Sequence, residues 1–463
     1  MRSPSSRRER IASLRGRRVG IVGLGREGTD LARFLVGHGA RVRVSDRAPA
    51  ELLAEAIGAL NGLDIDYSLG RQESGDLLDC DEIFVSPGVP PEAPVVAVPA
   101  AEGIPISSAT VLFFELCPGP IVGITGSSGK TTTTSLTGCI FREGGIASVV
   151  GGNIGVPMLN RLQAITPDTW CVLELSSFQL ADMPYSPQVG AILNITPNHL
   201  DRHPDMDDYV RAKANIVAHQ APDDTAVLNA DDPITSRLAH PGRTVEFSLK
   251  RSVAAGAWLE GDSLRLSGIA APLIARPEIP LRGIHNVANV LAAAAIGRAV
   301  GCAPTLIAAA VRRFQPVPHR LETVATIDGI DYVNDSIATS PERSCAALLA
   351  IDSPVVLIAG GRDKHLPMED WARLIVQRAR AVVLVGEAAP LIRDAIAATG
   401  EDVPIAEART FAGTVPLARS FAHPGDTVLL APGGTSFDEF RDYEARGEAF
   451  RRAVKAITGN EEG

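Results

Sequence analysis

The densest chemistry in the chain lies in Gly126-Ser127-Ser128-Gly129-Lys130-Thr131-Thr132. Apolar Ile121, Val122 and Ile124 lead into it, and a polar, helix-compatible run over 132–138 follows. Strand, glycine turn and helix start make a phosphate-binding turn. The glycines let backbone N–H groups approach phosphate, Lys130 supplies a cation, and the Thr131 hydroxyl can take a Mg²⁺ ion. The longer spacing G-x-x-x-x-G-K-[ST] is not met, because Ile124 stands where its first glycine belongs. What remains is G-x-x-G-K-T.

Other reactive side chains follow downstream. The apolar run 170–179 reads as a buried strand carrying one carboxylate, Glu174. An acid there is costly unless paired or metal-bound, and beside a phosphate loop it is the natural magnesium ligand. A glycine-rich turn over 149–157 carries Asn153, and Ser176 and Ser177 follow Glu174. A buried strand over 190–195 runs into a loop crowded with His199, Asp201, Arg202 and His203. The helix expected over 206–219 bears Lys213, which by itself reads as a solvated helix lysine. The tip at Asp231 and Asp232 reads as a turn. Asn286 and Asn289 share one face at the start of an alanine-rich helix, where asparagine often only caps.

A second glycine motif lies near the start. Gly23, Gly25 and Gly28 form G-x-G-x-x-G after a buried strand, with helical spacing over 29–37 and a strand over 41–45 ending at Asp46. Alone, this says NAD with Asp46 on a ribose, and Arg47 favours a further phosphate or base contact. Ser86-Pro87-Gly88 closes another strand end. A proline-bearing connector over 314–322 precedes a third α/β alternation, with strands at 331–336, 355–361, 381–385 and 427–431. Its strand ends carry Gly360-Gly361-Arg362-Asp363-Lys364 and Pro432-Gly433-Gly434-Thr435-Ser436. Crevices at such ends are where open α/β sheets bind ligands.

The elements that position these residues therefore belong to an α/β protein of three domains: 1–110, Rossmann-like; 111–316, a parallel sheet around the phosphate loop; and 317–463, Rossmann-like again. A net charge of −10 argues against a general nucleic-acid-binding surface. The basic start is not followed by an apolar run resembling a signal peptide, and no run of about 18 apolar residues exists to span a membrane. Disorder is expected only at 1–9 and 460–463. The six cysteines lack paired spacing, so reduced thiols are expected, with no metal or disulfide framework. A cytoplasmic monomer is the expectation.

The order of these motifs resembles the Mur ligase family of peptidoglycan synthesis, nearest to its glutamate-adding members. The match rests on the phosphate loop, Gly151-Gly152-Asn153-Ile154-Gly155, the segment Leu173 to Leu180, His199-Leu200-Asp201-Arg202 and Arg211-Ala212-Lys213. It continues through His285-Asn286, His319-Arg320, Asn334-Asp335-Ser336 and Ser436-Phe437-Asp438 up to Tyr443. The resemblance implies that ATP phosphorylates the alanyl carboxylate of UDP-N-acetylmuramoyl-L-alanine and that glutamate's amine attacks the acyl phosphate. It further implies Thr131 and Glu174 at a first Mg²⁺, His199 at a second, and a carbamylated Lys213 beside it. Asn289, Arg320 and Asp335 would contact ATP. Asn153, Ser176 and His199 would face the muramoyl-alanine end, and Thr339, Lys364, Ser436 and Tyr443 the glutamate. Gly25, Asp46, Arg47 and Ser86-Pro87-Gly88 would serve a UDP group, displacing the NAD reading. One departure is Ile337, where the family commonly has lysine in Asn-Asp-Ser-Lys-Ala-Thr; Arg362 is the candidate to compensate. The departure leaves D- or L-glutamate open, with D-glutamate favoured.

Overall fold

The computed structural model describes residues 4–154, 156–197, 202–281, 283–315, 318–351, 353–364 and 366–459. Buried apolar runs alternate with helices and build three sheets. The first contains β1 (Arg18–Val22), β2 (Arg41–Asp46), β3 (Ile65–Leu69), β4 (Glu82–Val85) and β5 (Ile106–Ser107), parallel in the order β3-β2-β1-β4-β5.

The second sheet contains β6 (Ile121–Thr125), β7 (Ser148–Gly152), β8 (Trp170–Glu174), β9 (Val189–Ile192), β10 (Thr225–Asn229), β11 (Arg243–Ser248), β12 (Gly256–Glu260), β13 (Ser263–Leu266) and β14 (Ile274–Ala275). Its order is β14-β13-β12-β11-β10-β9-β6-β8-β7, parallel up to an antiparallel β12-β13-β14 edge. The third has β15 (Glu322–Ile327), β16 (Ile330–Asn334), β17 (Val355–Gly360), β18 (Ala379–Val385), β19 (Ile405–Glu407) and β20 (Thr427–Gly433), ordered β15-β16-β20-β17-β18-β19. Only β15 runs antiparallel in it. Every residue of β6 and of β17 is buried, as a parallel sheet covered on both faces requires.

Residues 1–279 with 287–314 form one compact unit, and 280–286 with 315–463 form another. Within the first unit a single apolar core joins the first two sheets, running from Leu14, Val19 and Leu35 through Phe113 and Met158 to Leu228. Asp30 ties them as well, accepting from Leu159 N at 3.0 Å and from the Asn160 side chain.

Several expectations are corrected. The strand expected over 170–179 ends at Glu174, because Ser176 and Gln179 cap each other reciprocally and start the helical turn Ser177–Leu180. The strand expected over 190–195 is β9 and ends at Ile192. Much of the expected disordered start is a helix, Pro4–Leu14. Arg10 pins it by bridging Glu82 and Glu115, and Arg7 donates to Cys117 O. The cysteines are free thiols, but Cys117 and Cys171 bring their Sγ atoms to 3.5 Å, which their spacing did not suggest. Among the described residues no helix is long and apolar enough to cross a membrane.

The glycine turn after β1 is fixed by steric contact. A Cβ on Gly28 would lie 2.1 Å from Gly23 O, whereas one on Gly25 would meet nothing within 4 Å. Gly28→Ala is therefore expected to cost about 1–3 kcal/mol of stability and Gly25→Ala far less, measured by equilibrium chemical denaturation. Equal midpoints for the two variants would contradict this packing.

Candidate active site

The phosphate loop leaves the buried end of β6 and enters the helix Lys130–Glu143, with Gly129 at the N-cap in the left-handed region, φ 80°. The chain following β9 clamps it. Ser127 N donates to Asn194 O at 3.0 Å, Ser128 N to Asn194 Oδ1 at 2.9 Å, and Ser127 Oγ to Thr196 O at 2.9 Å. The buried Tyr209 hydroxyl meets Ser127 Oγ at 3.0 Å. Asn289 covers the loop from the helix Ile284–Ala299: a Cβ on Gly129 would sit 2.3 Å from Asn289 Oδ1. The sequence marked Ser127, Ser128 and Asn289 but missed Asn194 and Tyr209. Asn194 was legible only as the polar residue inside an apolar run.

Two lysines converge on one carbonyl. Lys130 Nζ and Lys213 Nζ each donate to Gly126 O at 2.9 Å, and Lys213 also reaches Thr125 Oγ1 at 3.3 Å. Lys213 is 1% exposed, so the reading of a solvated helix lysine does not hold. Its helix, Met206–Ala218, approaches the sheet over glycines: a Cβ on Gly190 of β9 would lie 2.5 Å from Ile216 O, and one on Gly123 of β6 would lie 3.1 Å from Ile216 Cδ1. Burial drives the Lys213 pKa well below the usual lysine value. Lys130 reinforces that shift and Glu174 opposes it. The amine also lies 4.7 Å from the Tyr209 ring centroid.

Glu174 ends β8, between Gly152 of β7 and Ile124 of β6. It is 3% exposed. Asn153 Nδ2 donates to its Oε1 at 2.8 Å, while its buried Oε2 has no hydrogen-bond partner among the described residues. A buried carboxylate oxygen left this way, beside a phosphate loop, fits a Mg²⁺ ligand. Among the described residues no three His, Cys, Asp or Glu side chains cluster as a ready-made metal cage. His199 and Asp201 lie outside the described residues. His203 is buried instead, between Ser177 Oγ at 3.0 Å and Asp208 Oδ2 at 2.7 Å, and stacks on Phe178.

In the first domain, Asp46 shapes the glycine turn, accepting from Leu24 N at 2.7 Å and Ala48 N at 2.8 Å. Ser86 Oγ donates to Gly23 O at 3.1 Å, so the Ser86-Pro87-Gly88 loop and the turn share an edge. Arg47 and Gly88 are exposed beside it.

The second unit gathers its own set. Asp335 is buried, accepts from Leu321 N at 2.9 Å, and has its pKa pushed up to about 6 by burial, against Arg320 and Arg343. His319 and Leu321, flanking Arg320, hold positive φ of 62° and 43°. Lys364 Nζ lies 3.5 Å from Thr339 Oγ1. Arg362 forms a bidentate pair with Glu387 at 2.9 and 3.0 Å, so the cation expected to offset Ile337 already has a carboxylate partner. Sequence reasoning missed Arg446. It is 2% exposed and donates to Ser336 O at 2.9 Å, Ser336 Oγ at 3.1 Å and Gly434 O at 3.2 Å, while Ser336 Oγ donates to Tyr443 O. Arg446 thereby fixes the loops bearing Asp335, Ser436 and Tyr443 against one another. Burial lowers its pKa to about 10, against Asp438.

Three family models cover the chain in order: the Mur ligase MurD-like N-terminal domain over 17–108, the Mur ligase middle domain over 124–297, and the Mur ligase glutamate ligase domain over 319–434. The UDP-N-acetylmuramoylalanine–D-glutamate ligase of Symbiobacterium thermophilum is 40% identical over 95% of this chain and 98% of its own. The chain belongs to the Mur ligase family. Another relative in the family, the enzyme of the same name from a Roseiflexus species, is 42% identical over 96% of this chain and 100% of its own. The family's three-domain fold recurs in the UDP-N-acetylmuramate–alanine ligase of Thermotoga maritima, with a TM-score of 0.63 at 19% identity over 96% of this chain and 100% of that one. Mur ligases couple ATP to peptide-bond formation, which accounts for a phosphate loop in the middle domain.

Gly129→Ala forces a side chain into the left-handed region and against Asn289, so ATP affinity is expected to fall at least about tenfold, read by calorimetric titration with ATP. Unchanged affinity would mean that Asn289 and the loop are misread.

Proposed function

We propose that this protein joins D-glutamate to UDP-N-acetylmuramoyl-L-alanine in the cytoplasm, converting ATP to ADP and phosphate. The observation carrying this reading is the convergence of Lys130, Lys213 and Glu174 around the Gly126 turn, in a chain similar along its length to D-glutamate-adding ligases. In this reading 1–110 binds the UDP group, 111–316 binds ATP, and 317–463 binds glutamate and part of ATP. The chain acts as a monomer.

The alanyl carboxylate attacks the γ-phosphorus, ADP leaves, and an acyl phosphate forms. The glutamate amine adds to that carbonyl carbon, the tetrahedral intermediate expels phosphate, and the amide remains. Lys130 and the loop N–H groups orient the β- and γ-phosphates and neutralise their charge. Thr131 and Glu174 would hold one Mg²⁺, with His199 and Lys213 at a second; such ions offset the charge of the transferring phosphoryl group. Lys213 would do so as a carbamate, a reading supported by the burial that lowers the pKa of its amine and so favours the neutral form that adds CO₂. Asn289, Arg320 and Asp335 are assigned to ATP. Gly25, Asp46, Arg47 and Ser86-Pro87-Gly88 are assigned to the UDP group, Asn153 and Ser176 to the muramoyl-alanine end, and Thr339, Lys364, Ser436 and Tyr443 to glutamate.

Phosphate release with ATP, Mg²⁺ and UDP-N-acetylmuramoyl-L-alanine is expected to require an amino acid and to prefer D-glutamate. Preference for L-glutamate would overturn the stereochemistry alone, and release indifferent to amino acid would overturn the reaction. Lys130→Ala and Glu174→Ala should each lower turnover at least about a thousandfold while circular dichroism and melting temperature stay near those of the parent. Near-normal turnover in either would displace the ATP–metal site.

A further inference from the structure

Glu27 lies in the first turn of the helix Arg26–Gly37, two residues after Gly25. Its Oε1 accepts from Gln179 Nε2 at 2.6 Å, and Gln179 Oε1 accepts in turn from Ser176 N at 2.9 Å and Ser176 Oγ at 3.1 Å. An unbroken chain of hydrogen bonds thus joins the glycine turn of the first sheet to the Ser176 turn at the end of β8. Glu27 Oε2 is buried and has no hydrogen-bond partner among the described residues. It borders a cavity of about 40 Å³ lined by Asp30, Thr110, Gly152, Leu175 and Gln179 among others. That space admits water.

We propose that Glu27 is a positioning residue for the UDP-linked substrate: it latches the glycine turn to Ser176 through Gln179, and its neutral form admits the anionic UDP group that its carboxylate opposes. The inference rests on the functional reading above. Two costs oppose the ionised form. A carboxylate needs donors for both oxygens, and among the described residues the side chains supply one, from Gln179, leaving the other oxygen to water. Its charge would also stand in the first helical turn beside the turn assigned to an anionic UDP group. Asp30 is the other charged residue lining the cavity and repels that charge further. Among the described lining residues, those of the helix Ala109–Leu116 and of the segment 157–159 bring none. Burial, then Asp30, raises the Glu27 pKa from 4.5 to about 7, with Gln179 opposing. The opposing charge therefore appears as pH rises through neutrality, while the hydrogen bond from Gln179 can form to either state of Glu27.

Glu27→Gln keeps a carbonyl for Gln179 and cannot ionise. In the parent protein, KM for UDP-N-acetylmuramoyl-L-alanine is expected to rise severalfold from pH 6.5 to 8.5, with a smaller change in kcat. In Glu27→Gln it should stay flat and low. A variant whose KM follows the parent's pH profile overturns the proposal. A readout without substrate separates this from the functional reading. The folded-state pKa is raised, so the parent loses stability relative to Glu27→Gln as pH climbs from about 4.5 to 7. The gap in melting temperature should therefore widen over that window and level off above it. A constant gap overturns the titration of Glu27 whatever the substrate. A widening gap with no phosphate release from the UDP-linked acid at any pH would instead overturn the functional reading, and the substrate half of this proposal with it.

Discussion

The site depends on burying a lysine amine against the carbonyl that opens the phosphate loop. A charged amine there would lose its hydration, so the protein sets Lys213 as a weakly basic group, with Lys130 pushing in the same direction and Glu174 pulling against them. The arrangement requires a helix to lie unusually close to β6 and β9. Gly123 and Gly190 permit it, since side chains at either would strike Ile216. Two glycines inside buried strands therefore have a chemical consequence: they bring Lys213 to Gly126.

Around that contact, polar side chains act mainly on backbone. Asn194 holds the loop amides, and Asp232 accepts from Ile195 N at 2.9 Å while its other oxygen takes the amides of Ile234 and Thr235. The acidic tip after β10 is thus a turn, as its residues suggest, and it also steers the segment clamping the phosphate loop. Asp46 does the same for the glycine turn of the first sheet. Such carboxylates bind backbone N–H groups with charge-assisted hydrogen bonds, which lets short loops keep one shape.

The second unit solves its own problem with one residue. The loops at the ends of β16 and β20 carry Asp335 and Ser436, and both have backbone carbonyls pointing inward. Arg446 presents a planar fork to Ser336 and Gly434 and fixes both. Gly447 next to it leaves room for His319, which a side chain there would strike at 2.2 Å. Arg446 and Gly447 are adjacent in sequence, yet one braces the strand ends and the other admits the segment entering β15.

The sequence alone determined the α/β class, the runs that became β1, β6, β8, β17 and β20, the phosphate loop and the lone strand carboxylate. Each is a local pattern: apolar runs bounded by glycine, a lysine beside a glycine turn, an acid where none should be tolerated. Tertiary structure decided what these residues touch. Lys213 read as a surface lysine because helical spacing does not reveal how near a helix lies to a sheet. Ser176 read as strand because its cap with Gln179 is a matter of geometry, and Gln179's second partner, Glu27, is 152 residues away. Arg446 gave no signal, because an arginine is ordinary on a surface and becomes informative only once buried. Local pattern fixes which groups exist; only packing fixes their solvation, and with it their charge.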